Sequence, residues 1–514
     1  MRQFKITCPY CFQEFRDDQV HFRMETYFED ESDIGDSGMD VEKIEQMADT
    51  AESRQLKMQI RRGRRFLLKD DEKYNHFWKN YGKTTELRGI ADAVNPWQLP
   101  ILNPDELEDQ NVLKLLNHDA KGKEQFLTRD MDGMVKSVTD IYGKETRRRV
   151  CPYCHNPLPN LYGKNEVKFI SVIGVTSSGK TVYISQLLKH LNRYCAYVKM
   201  SASPLSSHET DFLKKNLVVS DMPLPESTPT GVLVQPLFYD LLRTDEKDRM
   251  VTNTIVIQDI AGEAFKDSLF LEKYGRFITK SDGIILILDP SQLQLISGQY
   301  EGEVMPTLVL DTIHKAFVGD SGKPCTIPVA VCVSKCDKFS DNLDQLKSDI
   351  QPITGPDDEY VQVFNSVDYN VLEPEIKRLM NPEVKSRLEL QYISFNYFAF
   401  SATGCDVEER EIETKDGQPS KKAYFLAGPP NPKRIAEPVF WLFHQFGYMK
   451  SEVPIRLPKR RKAPDNGKKQ IGWTEPTFLE KLRGVKPEPI WADLTPEEMD
   501  AFNYEISIRA RRPK

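Results

Sequence analysis

The stretch Gly174-Val175-Thr176-Ser177-Ser178-Gly179-Lys180-Thr181 constrains this chain more than any other. It spells G-x-x-x-x-G-K-T, a loop that cradles phosphate. Glycines at 174 and 179 let the backbone curl until successive N–H groups, those of Ser177 and Ser178 included, point inward at phosphate oxygens. Lys180 then reaches the outer phosphates, and the Thr181 hydroxyl is placed to ligate Mg2+. The flanks dictate local structure as well. Val167 to Ile173 is an apolar, β-branched run, the pattern of a buried strand. Val182, Ile184, Leu187, Leu188 and Leu191 recur at helical spacing. A helix starting at Lys180 aims its positive end at the phosphates.

Such a unit belongs in a larger sheet, and the chain supplies one. Strand-like runs follow at Val232 to Phe238, Thr254 to Gln258, Gly283 to Leu288, Ile327 to Val333 and Phe395 to Phe400, with helical patterns between most of them. This alternation predicts a parallel sheet covered by helices on both faces. Ligands in such sheets sit at the carboxyl ends of the strands. Three motifs fall at those ends. Asp259-Ile260-Ala261-Gly262-Glu263 follows one strand: Asp259 can hold Mg2+ through water, and the Gly262 N–H can touch a γ-phosphate. Ser334-Lys335-Cys336-Asp337 follows the next suitable strand. It resembles the (N/T)-K-x-D base-recognition motif of GTPases. The resemblance implies that a carboxylate at Asp337 would accept two hydrogen bonds from the N1–H and 2-amino group of guanine, a donor pair adenine lacks, while Lys335 would lay its stem along the base. Ser334 stands where Asn or Thr is usual. Ser401-Ala402-Thr403 comes last and resembles the S-A-(K/L) loop, whose backbone N–H reads guanine O6.

Two cysteine pairs share one spelling, Cys8-Pro9-Tyr10-Cys11 and Cys151-Pro152-Tyr153-Cys154. Each turn can present two thiolates to one tetrahedral zinc ion, and the two together complete a four-cysteine site. Residues 12 to 150 separate them, against a gap of roughly 15–20 in a simple ribbon. One zinc ribbon with a large insertion is the leading expectation; two half-sites that dimerise around metal are the alternative. His155 is a further candidate ligand. Cys195, Cys325, Cys332, Cys336 and Cys405 lack knuckle spacing and read as core or loop thiols.

The order phosphate loop, D-x-x-G, S-K-x-D, S-A-T resembles the translation-factor-like (TRAFAC) class of P-loop GTPases over about residues 167 to 449. With the C-P-x-C ribbon ahead of it, the chain is similar to the double-GTPase-type domains of bacterial conflict systems. The resemblance implies an α/β P-loop NTPase fold, a mainly parallel sheet with helices on both faces, preceded by the zinc ribbon. It implies GTP and GDP as ligands with Mg2+, held by Thr181 and Asp259. The switch threonine would be Thr230, with Thr228 as the fallback. Glu263 falls where Ras-like enzymes carry a water-positioning glutamine, and its charge would repel the γ-phosphate. Slow hydrolysis by Lys180, Thr230 and Glu263 is therefore expected. Arg243, Arg249 and Arg276 are candidates for an arginine finger in cis. A regulatory GTPase, in bacterial defence or conflict, is the expected function. The alternative is a zinc-ribbon scaffold for protein or nucleic acid with an inert nucleotide site.

The expected domains are a split ribbon (1–11 and 151–160), a mostly helical insertion (12–150), the GTPase domain (165–449) and a basic, Pro-containing tail (450–514). Helices are expected at Val41 to about Lys69, Leu107 to Leu116 and Phe126 to Tyr142. The first carries Arg61, Arg62, Arg64 and Arg65, either a solvated face or a site for nucleic acid or an acidic partner. The tail reads as largely unpacked, with Trp473, Phe478 and Trp491 as partner-binding or back-folding residues. A net charge of −7 gives no global pull toward nucleic acid or anionic lipid. The longest apolar run, Gly283 to Leu288, falls far short of the about 20 residues of a membrane span. No signal-peptide core follows Met1, so a cytoplasmic location without membrane contact is expected.

Overall fold

The computed structural model describes residues 4–23, 50, 54, 71–81, 101–105, 123–139, 145–174, 178–225, 233–245, 247–261, 265, 270–290, 306–319, 321–338, 366–412, 421–449, 468–473 and 489–493. Its N-terminal part holds short strands β1 (Lys5–Thr7), β2 (Glu14–Arg16), β3 (His21–Arg23), β4 (Ile101–Leu102), β5 (Leu127–Arg129), β6 (Val135–Thr139), β7 (Glu145–Thr146) and β8 (Arg148–Val150), with helix α1 (Glu72–Asn80). Three small sheets form, β1-β2, β4-β3-β8 and β5-β6-β7.

One of the helices expected in the insertion is corrected among the described residues. Phe126 to Tyr142 contains a hairpin, not a helix. The cause is the turn Asp130-Met131-Asp132-Gly133. Gly133 takes φ +90°, and Asp130 Oδ1 accepts from the backbone of Asp132 and Met134. An Asx turn ending on a left-handed glycine reverses the chain and so pre-empts a helix. The Leu107 to Leu116 helix lies outside the described residues, as does Val41 to Lys69 apart from Thr50 and Arg54.

The large sheet comprises β9 (Glu166–Gly174), β10 (Ser201–Pro204), β11 (Leu237–Thr244), β12 (Met250–Ala261), β13 (Gly283–Leu288), β14 (Val329–Val333) and β15 (Phe395–Ala399), in the order β10-β11-β12-β9-β13-β14-β15. From β12 to β15 every pairing is parallel; β10–β11 and β11–β12 are antiparallel. The strand expected at Val232 to Phe238 begins only at Leu237. Pro236 has no N–H to give a ladder, so pairing starts after it. Helices α2 (Lys180–Tyr197), α3 (Ser207–Lys215), α4 (Phe270–Thr279), α5 (Pro306–Val318), α6 (Ser366–Leu379), α7 (Pro382–Gln391) and α8 (Glu437–Gln445) surround it. Hairpin β16 (Val407–Ile412) with β17 (Lys421–Leu426) follows the sheet. In the region expected to be unpacked, β18 (Lys468–Trp473) pairs antiparallel with β19 (Pro489–Asp493).

Strand periodicity sorts the core into two layers. Phe169, Ile173, Val256, Ile260, Leu286 and Val331 join one cluster, with α4 to α7 and the N-terminal ribbon. Ile170, Val172, Ile255, Ile257, Ile287 and Cys332 join the other, with α2 and α8. The central strands are buried on both faces, as parallel strands require. The chain order reverses at β9, whose neighbours are β12 and β13. This is a topological switch point, the place where open α/β sheets bind ligands.

Candidate nucleotide and metal sites

β9 ends at Gly174 and α2 begins at Lys180. Gly179 caps the helix in the left-handed region, at φ +76° and ψ +24°, a conformation that glycine adopts without penalty. A Cβ on Gly174 would lie 2.4 Å from Ser178 Oγ and 3.1 Å from Lys180 Cβ, so a larger residue would displace those side chains. The Ser178 hydroxyl is buried and finds no partner among the described residues. The first turn of α2 carries no acidic residue, which leaves its positive end unneutralised by its own side chains. Thr181 is the second residue of that turn, and Ser177 lies outside the described residues.

Strand register brings the second motif to this loop. Asp259 pairs with Val172, and Ala261 pairs with Gly174. Asp259 falls on the α2 face of β12, in phase with Ile255 and Ile257. Its Oδ1 lies 2.5 Å from Lys180 Nζ, with both side chains buried. Lys180 Nζ also donates to the Ile260 carbonyl at 3.0 Å. The motif's cation and carboxylate thus neutralise each other at the carboxyl end of the sheet. Gly262, Glu263, Thr228 and Thr230 lie outside the described residues.

The two motifs expected to read the base lie side by side. Ser334 is buried, and its N–H and Oγ both donate to Leu288 O, at 3.0 and 3.1 Å. The unusual serine therefore ties β14 to β13. Lys335 takes φ +54° and pairs with Asp289 at 2.9 Å. Asp337 sits in a single 3-10 turn, Cys336–Lys338, whose Cys336 N–H donates to Phe400 O. Directly after Phe400, Ser401 exchanges backbone hydrogen bonds with Lys433, and Thr403 O accepts from Asn431 N–H at 2.7 Å. Ala402 packs against Val182 of α2 and Leu426 of β17. Gly404 takes φ +64°, and a Cβ there would lie 1.6 Å from Asn431 O.

Sequence reasoning missed Asp289, Gly404 and Lys433. Asp289 was findable as the acid that directly follows the run Gly283 to Leu288. Gly404 and Lys433 had no such signal, because each depends on a contact between the 401–404 loop and the distant 431–433 segment.

Two of the finger candidates face the wrong way. Arg249 pairs with Asp245 through two nitrogens, at 2.9 and 2.7 Å. It precedes Asp259 by ten positions along one strand, about 33 Å. Arg243 pairs with Asn253 and stacks on Tyr448, at the same far end. Arg276 lies in the last turn of α4, which runs away from the motif end toward the start of β13.

The four expected zinc ligands converge. The sulfurs of Cys8, Cys11, Cys151 and Cys154 all lie within 4.8 Å of one another, and the pairs Cys8–Cys154 and Cys11–Cys151 are 3.7 Å apart. Four thiolates at about 2.3 Å from one tetrahedral ion would stand about 3.8 Å apart, so the donor set fits zinc. The knuckles match in detail. Tyr10 N–H donates to Cys8 Sγ and Tyr153 N–H to Cys151 Sγ, each at 3.4 Å, and Phe12 and His155 take φ +55° and +51°. Burial pushes the Cys8 and Cys154 thiols well up, while hydrogen bonds from the other three thiols hold Cys11 well down. His155 stands outside this set. Its Nδ1 meets Asp71 Oδ1 at 2.7 Å and its Nε2 meets His21 Nδ1 at 3.3 Å, so the histidine orders the insertion.

Residues 168–371 match the model of the family Double-GTPase 2. A protein of Mycolicibacterium smegmatis, the "Putative ESX-1 scaffolding and assembly protein SaeC", is 24% identical over 170 residues, 31% of this chain and 43% of that protein. The crystal structure of a GTP-binding protein from the hyperthermophilic archaeon Sulfolobus solfataricus in complex with GDP aligns at 14% identity and a TM-score of 0.17, covering 46% of this chain and 47% of that one. The chain thus spans less than half the length of either protein. Among the described residues no helix is long and apolar enough to cross a membrane. The central part of this chain, with its glycine-rich loop, its Asp259 strand and two later motifs on one mainly parallel sheet, is similar to the Double-GTPase 2 family over residues 168–371, a likeness that supports a P-loop GTPase fold.

Proposed function

We propose that the chain binds GTP with Mg2+ at the carboxyl end of β9 and hydrolyses it slowly to GDP as a regulatory switch. The observation that carries this reading is the meeting of Lys180 and Asp259, beside a base-reading pair of loops tied by Cys336 and Phe400. A triphosphate arriving with its cation offers each buried charge a new partner. Lys180 turns to phosphate oxygens, while Asp259 and Thr181 hold the cation, which neutralises charge on the transferring phosphoryl group. Asp337 selects guanine. Gly262, Thr230 and Glu263 respond to the γ-phosphate. Glu263 brings a negative charge to the attacking water, and Arg243 and Arg249 are held at the far end of the sheet. Slow turnover without a partner follows from both. The cellular setting we propose is bacterial regulation, in conflict or in assembly of a larger machine such as the SaeC name describes. Zinc holds the ribbon together and takes no part in hydrolysis.

The test is a fluorescent-nucleotide panel on metal-quantified protein. GTP and GDP should bind at least tenfold tighter than ATP, Lys180→Ala should abolish binding, and Asp337→Asn should shift preference toward xanthine nucleotides. Equal affinity for ATP and GTP would refute the guanine reading. Turnover comparable to a metabolic NTPase would refute the switch.

A further inference from the structure

The first cysteine knuckle does not float beside the GTPase domain. Its Pro9 carbonyl accepts a buried hydrogen bond, 3.1 Å long, from Gln258 Nε2. Gln258 immediately precedes Asp259 on β12. Alternation along the strand points the two side chains to opposite faces. Gln258 is in phase with Val256 and Ile260 on the ribbon face, and Asp259 faces Lys180. One residue further along the knuckle than Cys11, Phe12 packs edge-on against Phe169 of β9 and Phe277 of α4, with ring centroids 5.5 and 5.1 Å away. Tyr81, at the end of α1, packs on the same Phe277 ring at 5.7 Å. The knuckle therefore grips the strand that ends in the phosphate loop, the strand that carries Asp259, and the helix that follows the D-x-x-G segment. The second knuckle differs: Tyr153 is half exposed where Tyr10 is buried, and its Pro152 carbonyl accepts from Lys73.

From this arrangement we infer that Gln258 is a positioning residue, which couples the four-cysteine metal site to the nucleotide site by tying the Pro9 carbonyl to the Asp259 end of β12. The inference rests on the GTP-binding reading above. A glutamine amide in a β-sheet core has no packing advantage over Leu or Met, and one buried there must find a partner. Here the partner belongs to a metal knuckle 249 positions away. Phosphates and Mg2+ that draw on Lys180 and Asp259 displace the end of β12, and the displacement reaches the knuckle through a single peptide unit. Binding free energies couple reciprocally. The nucleotide must therefore change how tightly the knuckle holds metal, by the same factor that metal changes nucleotide affinity.

The experiment follows Zn2+ release from the full chain into a chromogenic chelator, with and without GTP, for the natural chain and for Gln258→Leu and Gln258→Met. Nucleotide binding is measured in parallel by fluorescence. GTP should slow zinc release and raise zinc affinity at equilibrium about fivefold, at the low end of couplings between sites. Both variants should bind zinc and GTP, yet release zinc at a rate that ignores the nucleotide. A residue that merely stabilises the fold would change the release rate with and without GTP alike. If the natural chain binds GTP and its zinc release is unaffected, the coupling is refuted and the GTP reading stands. If it binds no GTP, the reading falls and the coupling with it. If the variants keep the full nucleotide effect, Gln258 is not the link.

Discussion

Gly404→Ala is the sharpest single perturbation of the base-reading region. The glycine sits at φ +64° with the Asn431 carbonyl where a Cβ would go, 1.6 Å away. A left-handed alanine costs about 1–2 kcal/mol before any clash. The obstacle is backbone, so it cannot rotate aside. The loops 401–405 and 431–433 must part, which breaks the Asn431–Thr403 hydrogen bond and strains the Ser401–Lys433 pair. One lost hydrogen bond adds about 0.5–1.5 kcal/mol. The total is roughly 3 kcal/mol, or about 6–12 °C in Tm for a domain of this size. Ser401 to Thr403 move with the loop, so GTP affinity should fall at least tenfold. Gly428→Ala is the control: it lies in the same hairpin region, and a Cβ there meets nothing within 4 Å. Its Tm should be unchanged. Calorimetry and nucleotide titration on the two variants decide the matter; equal behaviour would show that the 404–431 contact does not shape the loop.

Three further outcomes are expected. Glu437→Ala leaves Arg434, which it holds through two short contacts in a nearly solvent-free site, as a buried unpaired cation. The loss should be about 3–5 kcal/mol, read by chemical denaturation, and an exposed-pair value below 1 kcal/mol would contradict the burial. Burial pushes the Cys195 and Cys336 thiols up to about 12 and raises the Cys325 and Cys332 thiols too, so a thiol reagent at pH 8 should find at most Cys405 on the native, zinc-loaded chain. Four more fast thiols in loaded protein would mean that no metal occupies the ribbon. His21 should make the fold acid-sensitive, since burial lowers its pKa from 6.5 to about 3. The unfolded chain takes up a proton below about pH 6.5 that the folded chain refuses, so stability falls as pH drops from 6.5 toward 3. The acid limb of a stability–pH curve should flatten in His21→Gln.

Most of the candidate nucleotide site's geometry was legible because its parts are local. A glycine-rich loop between an apolar strand and an amphipathic helix has one structural solution, and Gly174, Gly179 and Lys180 occupy it. Asp259, Ser334 and Ser401 were placed by a second rule, that ligands gather at carboxyl ends of parallel strands. The cysteines were legible for a similar reason, because the repeated C-P-Y-C spelling encodes the turn itself. The insertion was misread where turn chemistry outweighed helical spacing. Residues 126 to 142 carry enough apolar positions for a helix, yet Asp130 and Gly133 fold them into a hairpin. Asp130 also receives Lys164 from the ribbon, a contact no local pattern announces. Gln258, His155 and Asp71 escaped for that reason: their partners are 249, 134 and 84 residues away.

That long separation has a consequence in time. The two knuckles meet across 140 positions, from Cys11 to Cys151. Closing so long a loop costs about 1.8 kcal/mol more than closing a ribbon of about 17 residues, three doublings at about 0.6 each. During synthesis at about 5–20 residues per second, the first pair of thiols waits roughly 7–28 s for the second. Over that interval half a metal site is exposed, open to oxidation and to adventitious metal. β9 follows the second knuckle directly, so the ribbon can close just as the phosphate-binding strand is made. Newborn chains should thus commit to the ribbon first and to the sheet afterwards, with the finished knuckle as the surface on which β9 and β12 assemble.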